Sequence, residues 1–207
     1  MPLIIVTGCP SSGKTTLAKQ LLDYFRSRLK QEDRTNQVKL VTDEDKLDWE
    51  GRDNIYMSIP KEKELRAWLR SEAQRFVNLN QIVILDAAAY IKGYRYELFC
   101  MSKEAKTQYC VVEKSLDSDV CWEWNKSRLE AYQGEDDEDG PKPGYSRETF
   151  DALLMRYEKC NETNRWDSPM FCLSTPEEEL DFNKVYHIIV EGERLKPNKC
   201  TSLIHTQ

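Results

Sequence analysis

The 207-residue sequence predicts an α/β fold, a mostly parallel, doubly wound sheet with helices on its faces. Three observations predict it. Short apolar runs recur along the chain with helix-like segments between them, which is the rhythm of β-α-β units. One run, "IVILD" at 82–86, shows no polar alternation, as expected of a strand buried on both faces of a parallel sheet. The first run opens into "GCPSSGKTT" at 8–16, a glycine-bounded loop that leads straight into an amphipathic segment.

The elements follow in chain order. "LIIVT" at 3–7 is the first strand, and the helix from Lys14 to about Lys30 sets Leu17, Leu21, Leu22 and Phe25 on one side. "VKLVT" at 38–42 is the next strand. From Lys61 to Leu79, Leu65, Trp68, Leu69, Ala73, Phe76 and Val77 recur at helical spacing. "IVILD" follows, then "QYCVV" at 108–112 and "VYHIIV" at 185–190 as further strands, with "PMFCL" at 169–173 as an additional candidate. "GEDDEDGPKPG" at 134–144 joins an acidic run to Gly and Pro and reads as a solvated loop inside a lid-like helical insertion. No internal repeat is visible, and 194–207 carries no periodic signal, so the chain reads as a single nucleotide-binding domain with an irregular tail.

Composition narrows the function classes. Hydrophobic residues make up 40% and charged residues 32%, as in ordinary globular proteins. No apolar run approaches the ~20 residues of a membrane span, and "MPLIIV" is too short for a signal peptide and is needed as a strand. Seven scattered cysteines without a C-x-x-C pair, and two histidines, argue against zinc. Cysteines within "YCVV" and "MFCL" read as reduced core residues, hence an intracellular setting. A net charge of −6 does not favour nucleic-acid binding through the mean charge.

The loop carries the chemistry. Gly8, four residues, Gly13, Lys14 and Thr15 give the phosphate-loop spacing G-x-x-x-x-G-K-[ST], which makes the fold class that of P-loop NTPases. Glycines let the backbone curl until several N–H groups of Gly8, Cys9, Pro10, Ser11, Ser12, Gly13, Lys14, Thr15 and Thr16 surround one oxyanion; Pro10 contributes shape and no donor. The helix that starts there adds its unpaired N–H groups and dipole. Lys14 is placed to reach the β- and γ-phosphates of ATP, and the Thr15 hydroxyl to hold Mg²⁺. Cys9 reads as a filler position.

In doubly wound sheets ligands lie beyond the carboxyl ends of the strands. Asp86 ends "IVIL" there, a carboxylate for the Mg²⁺ shell, directly or through water. Asp43 ends the second strand on the γ-phosphate side, where it can orient an attacking hydroxyl or water and take its proton; Glu44 and Asp45 follow as weaker candidates. Charge spread over the transferring phosphoryl calls for a further cation. Arg95, Arg156 and Arg165 are the candidates, the last two placed on a lid that folds over the nucleotide. Trp166 reads as an anchor, with base stacking as the alternative. These residues leave three outcomes open: ATP hydrolysis, transfer of the γ-phosphoryl group to an acceptor hydroxyl, and nucleotide binding without turnover.

"MPLIIVTGCPSSGKTTLAK", "ILDAAAYIKGYRYELFC", "CWEWNKSR" and "LLMRYEKCNETNRWDSPMF", in that order from residue 1 to about 173, resemble the Elongator-associated, tRNA-stimulated P-loop ATPase family, a relative of phosphoseryl-tRNA kinase. "YIKGYRYEL" and "NRWDSP" carry most of the specificity. The resemblance implies Mg²⁺-dependent ATP hydrolysis stimulated by tRNA, in support of Elongator-dependent wobble-uridine modification in cytoplasm and nucleus. For the transfer outcome it leaves a hydroxyl of tRNA or a small molecule as the acceptor. It carries phosphate and Mg²⁺ contacts to Gly8, Gly13, Lys14 and Thr15, the Mg²⁺ shell to Asp86, and the base of the related kinases to Asp43. Family members continue into a C-terminal helical region that engages tRNA, so tRNA contact is expected to need a region beyond Gln207.

Overall fold

The computed structural model describes residues 2–46, 51–78, 81–86, 89–132 and 143–192. Five strands, β1 (Leu3–Gly8), β2 (Val38–Thr42), β3 (Ile82–Asp86), β4 (Tyr109–Lys114) and β5 (Met170–Leu173), form one sheet in the order β2-β3-β1-β4-β5. Every pairing is parallel; β1 is central, with Ile4 opposite Ile84 on one side and Cys110 on the other. Strands buried on both faces need apolar residues at consecutive positions, and Leu3, Ile4, Ile5 and Val6 are all fully buried.

Alternation of side chains along the strands feeds two cores. Leu3, Ile5, Val83, Leu85 and Val111 point to one face, where α3 (Ile59–Asn78) and α4 (Lys92–Glu104) cover them with Leu65, Leu69, Ala73 and Leu98. Ile4, Val6, Ile84 and Val112 point to the other, against Leu17, Ala18, Leu21 and Phe25 of α1 (Lys14–Gln31). The remaining helices are α2 (Arg52–Tyr56), α5 (Ser118–Ala131), α6 (Arg147–Arg156) and α7 (Phe182–Tyr186). The strand order reverses at β1, so its carboxyl end opens a crevice between its neighbours.

The sequence expectations hold for all the strands but one. "PMFCL" is a strand at Met170–Leu173, whereas "VYHIIV" is not: α7 and a single π-turn, His187–Glu191, make it helical. Val185, Tyr186 and Ile189 are buried in one cluster with α1, a spacing of i, i+1 and i+4 that a helix brings to one face, and Ile188 is buried as well. Asp181 caps it by accepting from the Lys184 N–H at 3.0 Å, and Gly192 ends it at φ +71°. Cys110 is buried as expected, but Cys172 is exposed, because β5 has one neighbouring strand and its outward positions are bare. Of the acidic loop, only Pro143 and Gly144 are among the described residues; the tail from 194 to 207, Leu79 and Cys200 lie outside them.

Candidate nucleotide cleft

The carboxyl end of β1 runs into a loop whose backbone only small residues can follow. Gly8 has φ +143°, and a Cβ on it would lie 2.2 Å from the Lys114 carbonyl oxygen of β4. Gly13 has φ +82° and Ser11 φ +60°, so the chain passes twice more through the left-handed region. The Cys9 N–H donates to Lys114 O at 3.3 Å and the Ser12 N–H to Cys9 O at 3.3 Å, which closes the curl. Lys14 Nζ donates to Cys9 O at 2.6 Å and spans the loop from below. α1 begins at once, with no side-chain cap and no acidic residue in its first turn. Its first N–H groups are therefore left for the cleft, where an anion could complete them. Ser12 Oγ is buried without a partner among the described residues, a further donor for a phosphate oxygen.

β3 and β2 deliver the two carboxylates. Asp86 lies on the cleft wall with Thr15, at 3% exposure, and its Oδ2 has no partner among the described residues. Burial, with the Asp43 charge second, pushes its carboxyl up to about 7. Burial also lowers the Lys14 ammonium, which Asp86 partly offsets. A buried carboxylate with a bare oxygen beside a threonine hydroxyl suits Mg²⁺, which takes one or two protein oxygens and completes its shell with water and phosphate. The donor set thus fits both Mg²⁺ and a polyphosphate.

Asp43 starts a 3-10 turn, Asp43–Asp45, whose cap is Thr42. Its Oδ2 accepts from the Tyr56 hydroxyl and its Oδ1 from Thr42 Oγ1 at 3.3 Å. Burial, then the Asp43 charge, raises the Tyr56 phenol well above 10, so it stays a donor. Glu44 lines the same cleft, and Asp45 turns away to accept from the Thr42 N–H at 3.2 Å.

The cleft has a volume of about 260 Å³ and is lined by the loop, Thr16, Asp43, Asp86, Tyr56, Tyr90 and Tyr145. The cations that join Lys14 there are Arg52 and Arg128, neither of which sequence reasoning picked. Arg52 is 4% exposed, its guanidinium 3.8 Å from the Tyr145 ring centroid, and it donates to Pro143 O at 2.8 Å. Arg128 donates to Ser11 Oγ. The available signals were "RDNIY", which puts Arg52 and Tyr56 one turn apart, and the flanks of the acidic loop, where Arg128 and Tyr145 stand.

The three arginines that the sequence suggested do not line this cleft. Arg156 bonds Glu62 and, at 2.9 Å, the Tyr56 carbonyl, so it fastens α6 to α2 and α3. Arg165 is exposed in a 3-10 turn, Arg165–Asp167. Arg95 is fully buried, with Nε 2.7 Å from Asp167 Oδ1 and Nη1 3.0 Å from Ala89 O. "YIKGYRYEL" and "NRWDSP" are therefore joined to each other by that ion pair. Trp166 packs edge-on against Tyr96 at 5.4 Å between centroids, an anchor in that same segment. Cys9 is 4% exposed, and a hydrogen bond with Cys121 is the main cause that brings its thiol down to about 7.

A family model described as "Chromatin associated protein KTI12" matches residues 1–206. "Protein KTI12 homolog" of Danio rerio is 40% identical over 202 residues, covering 97% of this chain and 66% of that protein. "Protein KTI12" of Saccharomyces cerevisiae is 35% identical over 181 residues, 87% of this chain and 53% of that protein. The chain thus spans between half and two-thirds of these relatives' length. Among solved structures, Chaetomium thermophilum Kti12 in complex with ADP-AlF3 superposes with a TM-score of 0.75 at 35% identity, covering 91% of this chain and 99% of that one. The Mycobacterium tuberculosis APS kinase CysC, at 16% identity and a TM-score of 0.57, shares the fold. The fold is that of P-loop NTPases and kinases.

Proposed function

We propose, for a chain that belongs to the KTI12 family, that this cleft binds ATP with Mg²⁺ and hydrolyses it. The observation that carries the reading is Asp86, buried with a free oxygen beside Thr15 and beneath the phosphate loop. The backbone N–H groups of the loop and of α1 hold the phosphates, and Lys14 exchanges its bond to Cys9 O for phosphate oxygens. Thr15 and Asp86 hold Mg²⁺, which when bound neutralises charge on the phosphates. Asp43, fixed by Tyr56, orients a water and takes its proton. Arg52 and Arg128 supply positive charge along the cleft.

The Chaetomium relative, solved in complex with ADP-AlF3, supports nucleotide binding by this chain. Stimulation by tRNA, association with Elongator, and residence in cytoplasm and nucleus rest on the family resemblance; the family description supports the nuclear part. Residues 1–207 act as the nucleotide-binding domain of such a protein. A kinase is the second reading, favoured by Tyr56, Tyr90 and Tyr145, which line the same cleft as Asp43 and could receive an acceptor molecule there. Phosphate release from Mg·ATP tests the proposal: Lys14→Ala abolishes it, and wild-type turnover in that variant refutes the phosphate-loop assignment.

A further inference from the structure

Two cysteines meet where the phosphate loop leans on α5. Cys9 follows Gly8 in the loop, and Cys121 lies in the first turn of α5. Cys9 Sγ donates to Leu116 O at 3.5 Å, and the Cys121 N–H donates to the next carbonyl, Asp117 O, at 3.1 Å. Cys9, Cys121, Leu116 and Phe150 form a small buried cluster, separate from the two cores on the sheet faces. Within it the two thiols are hydrogen-bonded to each other. One turn further along α5, Asn125 Oδ1 accepts from Ser11 Oγ at 2.9 Å, so helix and loop are held together.

The pair differs from the other cysteines. The Cys121 hydrogen bond, opposed by burial and helped by the Lys14 charge, brings the Cys9 thiol down to about 7. That same bond and burial push the Cys121 thiol up, so Cys121 stays the donor. Burial pushes up the thiols of Cys110, Cys160 and Cys172. Cys9 therefore carries thiolate near neutral pH, the form that attacks oxidants, and a second thiol already touches it. Neither sulfur has a part in holding phosphate or Mg²⁺. Their burial keeps bulky thiols out and leaves a small oxidant, hydrogen peroxide, as the reactant that fits.

We propose that Cys9 and Cys121 are a peroxide-reactive pair whose disulfide ties the phosphate loop to α5. The Cys9 thiolate attacks one oxygen of hydrogen peroxide and the O–O bond breaks. Cys9 becomes a sulfenic acid, and the departing hydroxide takes a proton from solvent to become water. The Cys121 sulfur then attacks the Cys9 sulfur, the S–O bond breaks, and the hydroxyl leaves with the Cys121 proton as a second water. The two sulfurs have lost two electrons and the peroxide has gained them. The bond is felt in the loop. Cys9 O accepts from Lys14 Nζ at 2.6 Å and from the Ser12 N–H at 3.3 Å. Drawing the Cys9 sulfur in to a bond of about 2.05 Å displaces that carbonyl and the groups it positions. This effect on nucleotide binding rests on the phosphate-loop reading; the disulfide does not.

The test treats the folded 207-residue chain with dilute hydrogen peroxide, alkylates the free thiols and maps the digest by mass spectrometry. Peptides joined through Cys9 and Cys121, about 2 Da lighter than the reduced pair, are expected, and dithiothreitol should separate them. Cys121→Ser should form no link and carry added oxygen on Cys9 instead. No link, or one that joins other cysteines, overturns the proposal. The linked protein should bind Mg·ATP about tenfold more weakly by calorimetry, with recovery in dithiothreitol. Unchanged affinity in the linked protein overturns the tie to the loop. If reduced wild type binds Mg·ATP no better than Lys14→Ala does, the phosphate-loop reading has failed, while the mapped link still decides the cysteine pair.

Discussion

Asp86 and Tyr56 show how single side chains set the chemistry of the cleft. The Asp86 carboxyl holds its proton up to about 7 in the folded protein, against 3.8 as its ordinary value. Between those values the folded state binds the extra proton, so stability falls as pH rises through that window. Asp86→Asn removes this penalty. In metal-free buffer at pH 8 the variant should be more stable than wild type by on the order of 2–4 kcal/mol, and the gap should close near pH 4. Denaturant titrations at the two pH values check it; a pH-independent difference contradicts the assignment. Tyr56 acts through Asp43 and touches no reacting atom in this account. Tyr56→Phe should lower kcat about tenfold with little change in ATP affinity, because the carboxylate loses the donor that aims it. A rise in KM at constant kcat would make Tyr56 a wall of the pocket only.

At the scale of elements, the chain's own patterns exposed the strands and the loop, since parallel strands buried on both faces cannot hide their composition. Leu3 to Val6 and Ile82 to Leu85 are apolar at every position, and glycine is required where a Cβ would strike β4. "VYHIIV" was illegible as a strand or a helix from its apolar content, because a short run satisfies both periods. Its caps, Asp181 and Gly192, were the decisive signal, together with polar His187 between buried pairs. The arginines were harder. A sequence places a cation near a loop, but whether it meets an acid across the fold is a tertiary fact. Arg95 finds Asp167, 72 residues away, and Arg156 finds Glu62, 94 residues away. The Arg95–Asp167 pair, with both side chains fully buried, ties α4 to the segment before β5. Asp167 also accepts from the Asn161 N–H at 3.1 Å and from Asn164 Nδ2 at 3.2 Å. Asp167→Ala should cost about 3–5 kcal/mol by stranding a buried guanidinium. A loss below about 1 kcal/mol in thermal or denaturant unfolding would show that the segment relaxes around it.

For the whole molecule, the strand order β2-β3-β1-β4-β5 decides where function lies. It brings the ends of β1, β2 and β3 together, so the phosphate loop, Asp43 and Asp86 meet although 78 residues separate Gly8 from Asp86. The helices then divide the work: α1 presents its N-terminus, α2 supplies Arg52 and Tyr56, and α5 backs the loop with Asn125 and Arg128. Such a cradle serves hydrolysis and phosphoryl transfer equally, because the protein contributes position and charge rather than a covalent intermediate. What distinguishes them is the acceptor opposite the γ-phosphate. The direct measurement follows the label of γ-labelled ATP with Mg²⁺, with and without bulk tRNA, in wild type and Lys14→Ala. This account predicts free labelled phosphate from wild type and none from the variant. Label carried on tRNA, or release that survives the loss of Lys14, would contradict it.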